Sequence, residues 1–180
     1  MNEMGFDSEN YQGRLGVVVG GSLSDGLEIR LDGARFNEDV KVGTFVAIQG
    51  ERARFLGVVT DVLLETTDTD LRANPPSIPD SLIAQVVSGT SVYGIIKVEP
   101  MLTIDVDGYQ PAKTVPNHFA LASTASEQDI QKVFGSEDDH HFWIGSPLDM
   151  ETRLCLDLRE LVKRSNGVFG KSGTGKTFLT

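Results

Sequence analysis

The sequence closes with a glycine-rich segment that fits the phosphate-binding pattern G-x-x-x-x-G-K-[ST], and this segment constrains the fold more than any other feature. Glycines let the backbone curl so that successive N–H groups converge on an anionic phosphate. The pattern needs a strand before the loop and a helix after it, because the helix N-terminus adds its unpaired N–H groups. The apolar run Asn166–Phe169 can supply that strand. We therefore expect the start of a nucleotide-binding α/β domain here.

Each loop position has a predicted role toward a bound nucleotide. Lys176 is expected to reach the β- and γ-phosphates and is the catalytic candidate, and the Thr177 hydroxyl is expected to ligate Mg²⁺. The remaining predicted cofactor-binding residues are Gly170, Lys171, Ser172, Gly173, Thr174, Gly175 and Phe178. A Gly/Ser/Thr-rich tail that fits the pattern by chance is the alternative, and the apolar run before the loop favours nucleotide binding. The predicted cofactors are ATP and Mg²⁺.

Composition predicts a folded, cytoplasmic protein. Hydrophobic residues make up 39% of the 180 residues and charged residues 23%, which is typical of a globular domain. The sequence has no apolar stretch of the roughly 20 residues that cross a bilayer, and its start lacks the basic and apolar regions of a secretory signal. Cys155 is the single cysteine, so an internal disulfide is excluded, and its leucine neighbours predict a buried position.

The formal net charge of −10 bears on the partners. Binding to a nucleic acid backbone requires clustered Lys and Arg side chains. An acidic chain therefore predicts that any DNA contact is made by regions outside it, and that its own acidic face is solvated or meets a protein.

Residues 14–105 show a β pattern of short apolar runs separated by turn signals such as Asp25-Gly26 and Asp32-Gly33. Gly57 is a candidate β-bulge within the longest run. The predicted strands are Arg14–Gly20, Leu27–Leu31, Thr44–Ile48, Ala53–Leu64, Leu82–Val87, Val92–Val98 and Met101–Asp105. This pattern favours a small closed barrel, with a β-sandwich as the competing arrangement. The polar, proline-rich segment 65–80 is predicted to be a long loop, either for partner docking or as a tolerated surface insertion.

After Pro111 the pattern changes to that of a connector. Val115–Phe119 is predicted to be extended, and Thr124 or Ser126 to cap a short helix that runs through Phe134 and ends at Gly135. A strand at Thr152–Leu156 and a helical turn at Leu158–Val162 capped by Asp157 are predicted next. His140 and His141 are interpreted as part of a solvated loop rather than a metal site, because no third ligand has suitable spacing. Trp143 is interpreted as a core residue.

Three stretches together carry a family resemblance. The runs Ile144–Met150, Leu154–Leu158 and Lys163–Thr177 resemble the HerA-type ATPases, which group with the FtsK-like motors among the RecA-fold NTPases. Members of that family begin with a small β-barrel like that of ATP synthase subunits, as the β pattern here would provide. The resemblance implies a hexameric, ATP-driven DNA translocase or helicase-like protein, with a nuclease as a frequent partner in DNA-end processing or repair.

The predicted fold class is therefore mainly β: an N-terminal β-barrel, a connector, and the first strand and phosphate loop of a truncated RecA-like α/β domain. The predicted boundaries are 1–112 for the barrel, 113–164 for the connector and 165–180 for the start of the ATPase domain. The family's Walker B acidic residues, catalytic glutamate and arginine finger have no counterpart in the sequence. The chain is thus expected to be a fragment that does not hydrolyse ATP alone.

Two other functions remain open from the sequence. The barrel could be an oligomerisation or partner-docking module without ATPase activity of its own. Alternatively, the phosphate loop could belong to an ATPase that does not act on DNA, but remodels proteins or drives rotation. DNA-stimulated ATP hydrolysis would separate the motor from both.

Overall fold

A computed structural model of the protein describes residues 13–32, 37–67, 92–106, 108–147, 150–163, 165–167 and 169. Within these ranges the chain forms nine strands, two α-helices and one short 3-10 helix. The strands are β1 (Arg14–Ser22), β2 (Gly26–Leu31), β3 (Phe45–Gln49), β4 (Arg54–Thr66), β5 (Val92–Asp105), β6 (Gly108–Pro111), β7 (Leu121–Thr124), β8 (His141–Gly145) and β9 (Leu154–Asp157). The helices are the 3-10 helix Asn37–Asp39, α1 (Glu127–Phe134) and α2 (Leu158–Val162).

Six antiparallel strands close into a barrel in the order β1-β2-β5-β4-β3-β7, and β7 returns to β1. The closing pair is β2 with β5, where Leu27 lies opposite Val98. Strand β6 extends the sheet as a hairpin with β5. The predicted barrel is confirmed, and a sandwich is excluded because the ring of hydrogen-bonded strands is continuous. The predicted strand Leu82–Val87 and most of the predicted loop at 65–80 lie outside the described residues.

The barrel interior is filled by branched apolar side chains that alternate with polar ones along the strands. In β2, Leu27, Ile29 and Leu31 are buried, whereas Glu28 and Arg30 point outward. This is the period-2 alternation expected of a strand with one wet face. Among the described residues, the buried cluster in the interior consists of Leu15, Val18, Leu27, Ile29, Leu31, Val40, Val46, Ile48, Phe55, Val59, Ile96, Val98 and Ala122.

Strand β5 corrects one prediction. The two predicted strands Val92–Val98 and Met101–Asp105 are one continuous strand, although Pro100 lies between them. The sheet accommodates the proline at an irregularity, since Pro100 lies opposite Gly57, where the register of β4 shifts. A Cβ on Gly57 would come within 2.5 Å of the Glu99 carbonyl oxygen, so only glycine permits this approach. The predicted bulge at Gly57 is confirmed.

The connector contributes a strand that the sequence analysis missed. Strand β7 is four residues long, yet it lies between β1 and β3 and completes the ring. The prediction that Val115–Phe119 is extended is wrong at the end of this segment. His118 and Phe119 form a turn there, and Phe119 has a φ of 65°. Such a short strand has too few residues to show alternation, and its neighbours are distant in sequence.

Helix α1 packs on the outside of the barrel. Its Ile130 is fully buried against Ala47 and Leu56, and Met150 and Leu154 pack against the same cluster. The helix therefore joins the barrel wall to the segment that precedes the phosphate loop.

The start and end of α1 are as predicted. The Ser126 side chain accepts a hydrogen bond from the Asp129 N–H, and the Asp129 carboxylate accepts one from the Ser126 N–H. The same carboxylate, only 4% exposed, accepts a hydrogen bond from Arg54 of β4 at 3.0 Å. Gly135 ends the helix with a φ of 72°. Because one aspartate both caps the helix and binds the barrel, the cap also fixes where α1 lies.

Candidate nucleotide-binding site

The residues predicted to bind nucleotide lie beyond the described part of the chain. They are Gly170, Lys171, Ser172, Gly173, Thr174, Gly175, Lys176, Thr177 and Phe178. The structure thus describes the elements that lead to the loop: the hairpin of β8 and β9, helix α2, and residues 165–167 and 169. The strand expected at Asn166–Phe169 is not seen in its described residues, because 166, 167 and 169 belong to no strand.

Strand β9 passes directly into helix α2 at Asp157. The Asp157 Oδ1 atom accepts hydrogen bonds from the N–H groups of Arg159 at 2.8 Å and Glu160 at 3.4 Å. This is the predicted N-cap, and it satisfies two donors that the first turn of a helix leaves unpaired. The predicted strand Thr152–Leu156 is confirmed with shifted bounds, as β9 begins at Leu154. Cys155 lies in this strand and is buried, as predicted.

His141 lies between two carboxylates from different elements. Its Nδ1 atom is 3.0 Å from both carboxylate oxygens of Asp138, in the loop after α1. Its Nε2 atom is 4.0 Å from the Oδ2 atom of Asp157. His141 begins β8, so its ring connects that loop to the N-cap of α2. The sequence analysis assigned this histidine to a solvated loop and missed the connection, because the two aspartates are nineteen positions apart.

The backbone around His140 strengthens the same connection between the loop after α1 and the N-cap of α2. The His140 carbonyl accepts a hydrogen bond from the Leu158 N–H at 2.9 Å, and the His140 ring contacts the Arg159 guanidinium. Among the described residues, no group of three or more His, Cys, Asp or Glu side chains could hold a metal ion. What this cluster can do is orient the start of α2, which leads to the predicted phosphate loop.

Hydrogen bonds lower the pKa of both aspartates. The N–H of His140, then the ring and N–H of His141, lower the pKa of Asp138 to about 2. At Asp157 desolvation raises the pKa, but the N–H groups of Arg159 and Glu160 and the neighbouring positive charges outweigh it, so the net pKa is lowered. Both carboxylates therefore stay ionised across the physiological range.

We expect the hydrogen bonds that Asp138 accepts from His140 and His141 to persist in acid well below the ordinary pKa of an aspartate. A carboxyl whose folded pKa is depressed contributes stability above its unfolded pKa of 3.8, and this contribution is lost as pH falls through about 2. Carboxyl ¹³C NMR during acid titration should show a midpoint near 2 for Asp138, with the amide signals of His140 and His141 moving together. Asp138→Asn should shift those amides at neutral pH, whereas Asp139→Asn should not. A titration midpoint near 3.8 for Asp138 would contradict its hydrogen bonding to His140 and His141.

The β8–β9 hairpin exposes aromatic surface, which corrects the interpretation of Trp143 as a core residue. Trp143, interpreted as core, is 51% exposed, with Phe142 and Ile144 also exposed on either side. Its Nε1–H donates to the Gly145 carbonyl at 2.8 Å, and the Arg153 guanidinium lies 5.1 Å from its ring centre. A two-stranded hairpin lacks a second layer to cover both faces, so three consecutive apolar residues cannot all be buried by it.

The fold and the motif together define a class: a closed β-barrel followed by the start of a P-loop ATPase domain. Residues 15–113, more than half of the chain, match the family model of the HAS barrel domain. The chain belongs to this family. Residues 142–180 match the central domain of helicase HerA, so the barrel is followed by the start of a HerA-type ATPase domain. A search of the curated proteins found no significant match.

In the part of the chain that the structure describes, no helix combines the length and the apolar character needed to cross a bilayer.

Proposed function

We propose that residues 170–177 bind the phosphates of ATP with Mg²⁺, and that this chain supplies the barrel and the phosphate loop of a HerA-type ATPase. The observation that carries the proposal is the match to the HerA central domain at 142–180, which contains the full G-x-x-x-x-G-K-T sequence. Lys176 would contact the β- and γ-phosphates, Thr177 would ligate Mg²⁺, and the backbone from Gly170 to Gly175 would surround the phosphates.

The described residues support this proposal through the position of α2. The N-cap at Asp157 and the contacts of His141 with Asp138 and Asp157 fix the start of α2, the last described helix before the loop. Helix α1 in turn ties β9 to the barrel wall, because Leu154 packs against the cluster around Ile130. The segment that leads to the phosphate loop would thus be held in place by contacts with α1 and the barrel. The proposed division of the chain remains 1–112, 113–164 and 165–180, although β7 of the connector belongs to the barrel sheet.

The whole ATPase would act as a hexameric DNA translocase with a nuclease partner. ATP-driven movement needs Mg²⁺ held from two sides and charge neutralisation in the transition state, of which one loop supplies only part. We therefore expect negligible ATP hydrolysis by this chain alone and turnover in a protein where a complete ATPase domain follows the barrel. With a net charge of −10 over its 180 residues, this chain would leave DNA contacts to other regions.

Calorimetric titration of ATP with Mg²⁺ into a protein that carries the complete ATPase domain tests nucleotide binding. Phosphate release measured with and without DNA then tests the motor function. Binding together with DNA stimulation supports the proposal. Absence of binding refutes the nucleotide site, whereas binding and turnover that DNA leaves unchanged refute only the DNA motor and favour an ATPase acting on proteins.

A further inference from the structure

Two consecutive histidines connect the loop after α1 to helix α2, and their rings face charges of opposite sign. The His141 ring lies between the carboxylates of Asp138 and Asp157. The His140 ring contacts the guanidinium of Arg159, in the first turn of α2. Histidine is the side chain that ordinarily changes charge between about pH 5 and 8, whereas aspartate and arginine keep theirs. A change of pH in this range therefore acts on the two rings and not on their partners.

The neighbours of His141 determine which nitrogen carries the proton of its neutral ring. An ionised carboxylate only accepts hydrogen bonds, so Nδ1, which is 3.0 Å from both Asp138 oxygens, must carry the proton. Nε2 then presents a lone pair toward the Oδ2 atom of Asp157 at 4.0 Å, and two acceptors face each other. Protonation turns Nε2 into a donor and makes this contact favourable. The N-cap is kept, because Asp157 binds the Arg159 and Glu160 N–H groups through Oδ1.

The neighbour of His140 has the opposite effect on its ring. A guanidinium only donates hydrogen bonds, so the His140 Nε2 atom accepts from Arg159 and the neutral ring carries its proton on Nδ1. Protonation removes this acceptor and places two positive charges side by side. The Leu158 N–H donates to the His140 carbonyl at 2.9 Å, and this backbone contact does not depend on the charge of the ring.

We propose that the two histidines form a pH-sensitive switch that changes how the start of α2 is attached to the loop after α1. Near pH 8 the neutral His140 ring binds Arg159, and His141 binds Asp138 alone. Near pH 5 the charged His141 ring bridges Asp138 and Asp157, and His140 releases Arg159. The switch needs only described residues and is independent of the proposed ATPase function.

Among the described residues, the other groups around the two rings keep their charge in this range. The end of α1 contributes the backbone of Gly135, which lies so close to His141 that a Cβ there would come within 2.8 Å of the ring. Glu160 and Lys163 of α2 form an ion pair with each other. Asp139 of the loop is exposed. Carboxylates and ammonium groups ordinarily stay ionised between about pH 5 and 8, so the response to pH comes from the histidines.

NMR titration of the 180-residue chain between pH 5 and 8 tests the switch. Long-range ¹H–¹⁵N spectra report the charge and tautomer of each ring. The carboxyl ¹³C signal of Asp157 should shift with the titration midpoint of His141, and the guanidinium ¹⁵N signals of Arg159 should shift with that of His140. His118, the third histidine of the chain, is the internal control, and neither signal should follow its titration.

Two substitutions remove the titration of one ring and keep its contact. His141→Asn places an amide N–H near the position of Nδ1, so Asp138 keeps a donor while the shift of the Asp157 signal is lost. His140→Gln places an amide oxygen near the position of Nε2, so Arg159 should stay bound from pH 5 to 8. His118→Gln is the matched control and should leave both responses as in the wild type.

Three results would overturn the switch. The first is a neutral His141 ring that carries its proton on Nε2. The second is an Asp157 or Arg159 signal that stays constant from pH 5 to 8 in the wild type. The third is a response that persists after the corresponding histidine has been replaced. Each of these leaves the proposed nucleotide site untouched, because none of them involves the phosphate loop.

Discussion

Replacing Lys176 with alanine is expected to lower ATP turnover on the order of a hundredfold or more in a protein with the complete ATPase domain. The lysine ammonium would lie against the β- and γ-phosphates, where negative charge accumulates on the leaving group, and the pattern assigns the positive charge at that place to this side chain. Steady-state phosphate release measures the loss of turnover. Calorimetric titration of ATP with Mg²⁺ shows how much of the loss is weaker binding.

Lys171 offers a matched control within the same loop. Lys171→Ala removes an identical side chain from a position where the pattern requires only the backbone N–H. We expect this variant to keep most of the wild-type affinity and turnover. Equal losses in the two variants would show that the loop senses overall charge, and the role assigned to Lys176 would then be wrong.

Replacing Gly16 with alanine is expected to destabilise the barrel by about 3 kcal/mol or more, because the clash is with backbone. A Cβ at this position would come within 1.9 Å of the Arg30 carbonyl oxygen and 3.0 Å of the Leu31 Cα atom. Gly16 lies opposite Leu31 of β2 on one side and Ala122 of β7 on the other. Neither neighbour can move away without opening the ring of strands. Urea denaturation followed by circular dichroism measures the change.

Gly20 is the control for this prediction, since it lies in the same strand. A Cβ there would meet only the carboxylate end of the Glu28 side chain, at 3.4 Å, and that end can rotate away. Alanine also loses less conformational freedom on folding than glycine does. Gly20→Ala should therefore be neutral or slightly stabilising. Similar destabilisation by both substitutions would mean that β1 tolerates no side chain for reasons other than the contact with Arg30.

Local signals in the sequence predicted the elements whose causes are local. The alternation in β2 requires only that one face be wet, and the caps at Ser126 and Asp157 require only a side-chain oxygen two or three residues before an unpaired N–H. The phosphate-loop pattern is equally local, and the match to the HerA central domain agrees with it. Its residue roles stay a prediction.

Other features depend on neighbours that are distant in sequence. Pro100 is tolerated within β5 because Gly57, on another strand, lies opposite it. His141 connects Asp138 to Asp157 only because the β8–β9 hairpin brings the two aspartates to one ring. The exposure of Trp143 likewise depends on which layers cover the hairpin. Spacing along the chain contains no information about these contacts.

The sequence by itself determined that this protein has a β-rich first part and a phosphate-binding motif after it, because residue alternation, helix capping and a glycine-rich loop act over a few neighbouring positions. The sequence also favoured a closed barrel, but tertiary structure alone decided which strands are neighbours in the ring, that the four-residue β7 completes it, and that α1 attaches the wall to the segment before the loop. The physical reason is that closure and docking depend on burying surfaces that come from opposite parts of the chain, and those surfaces meet only after folding.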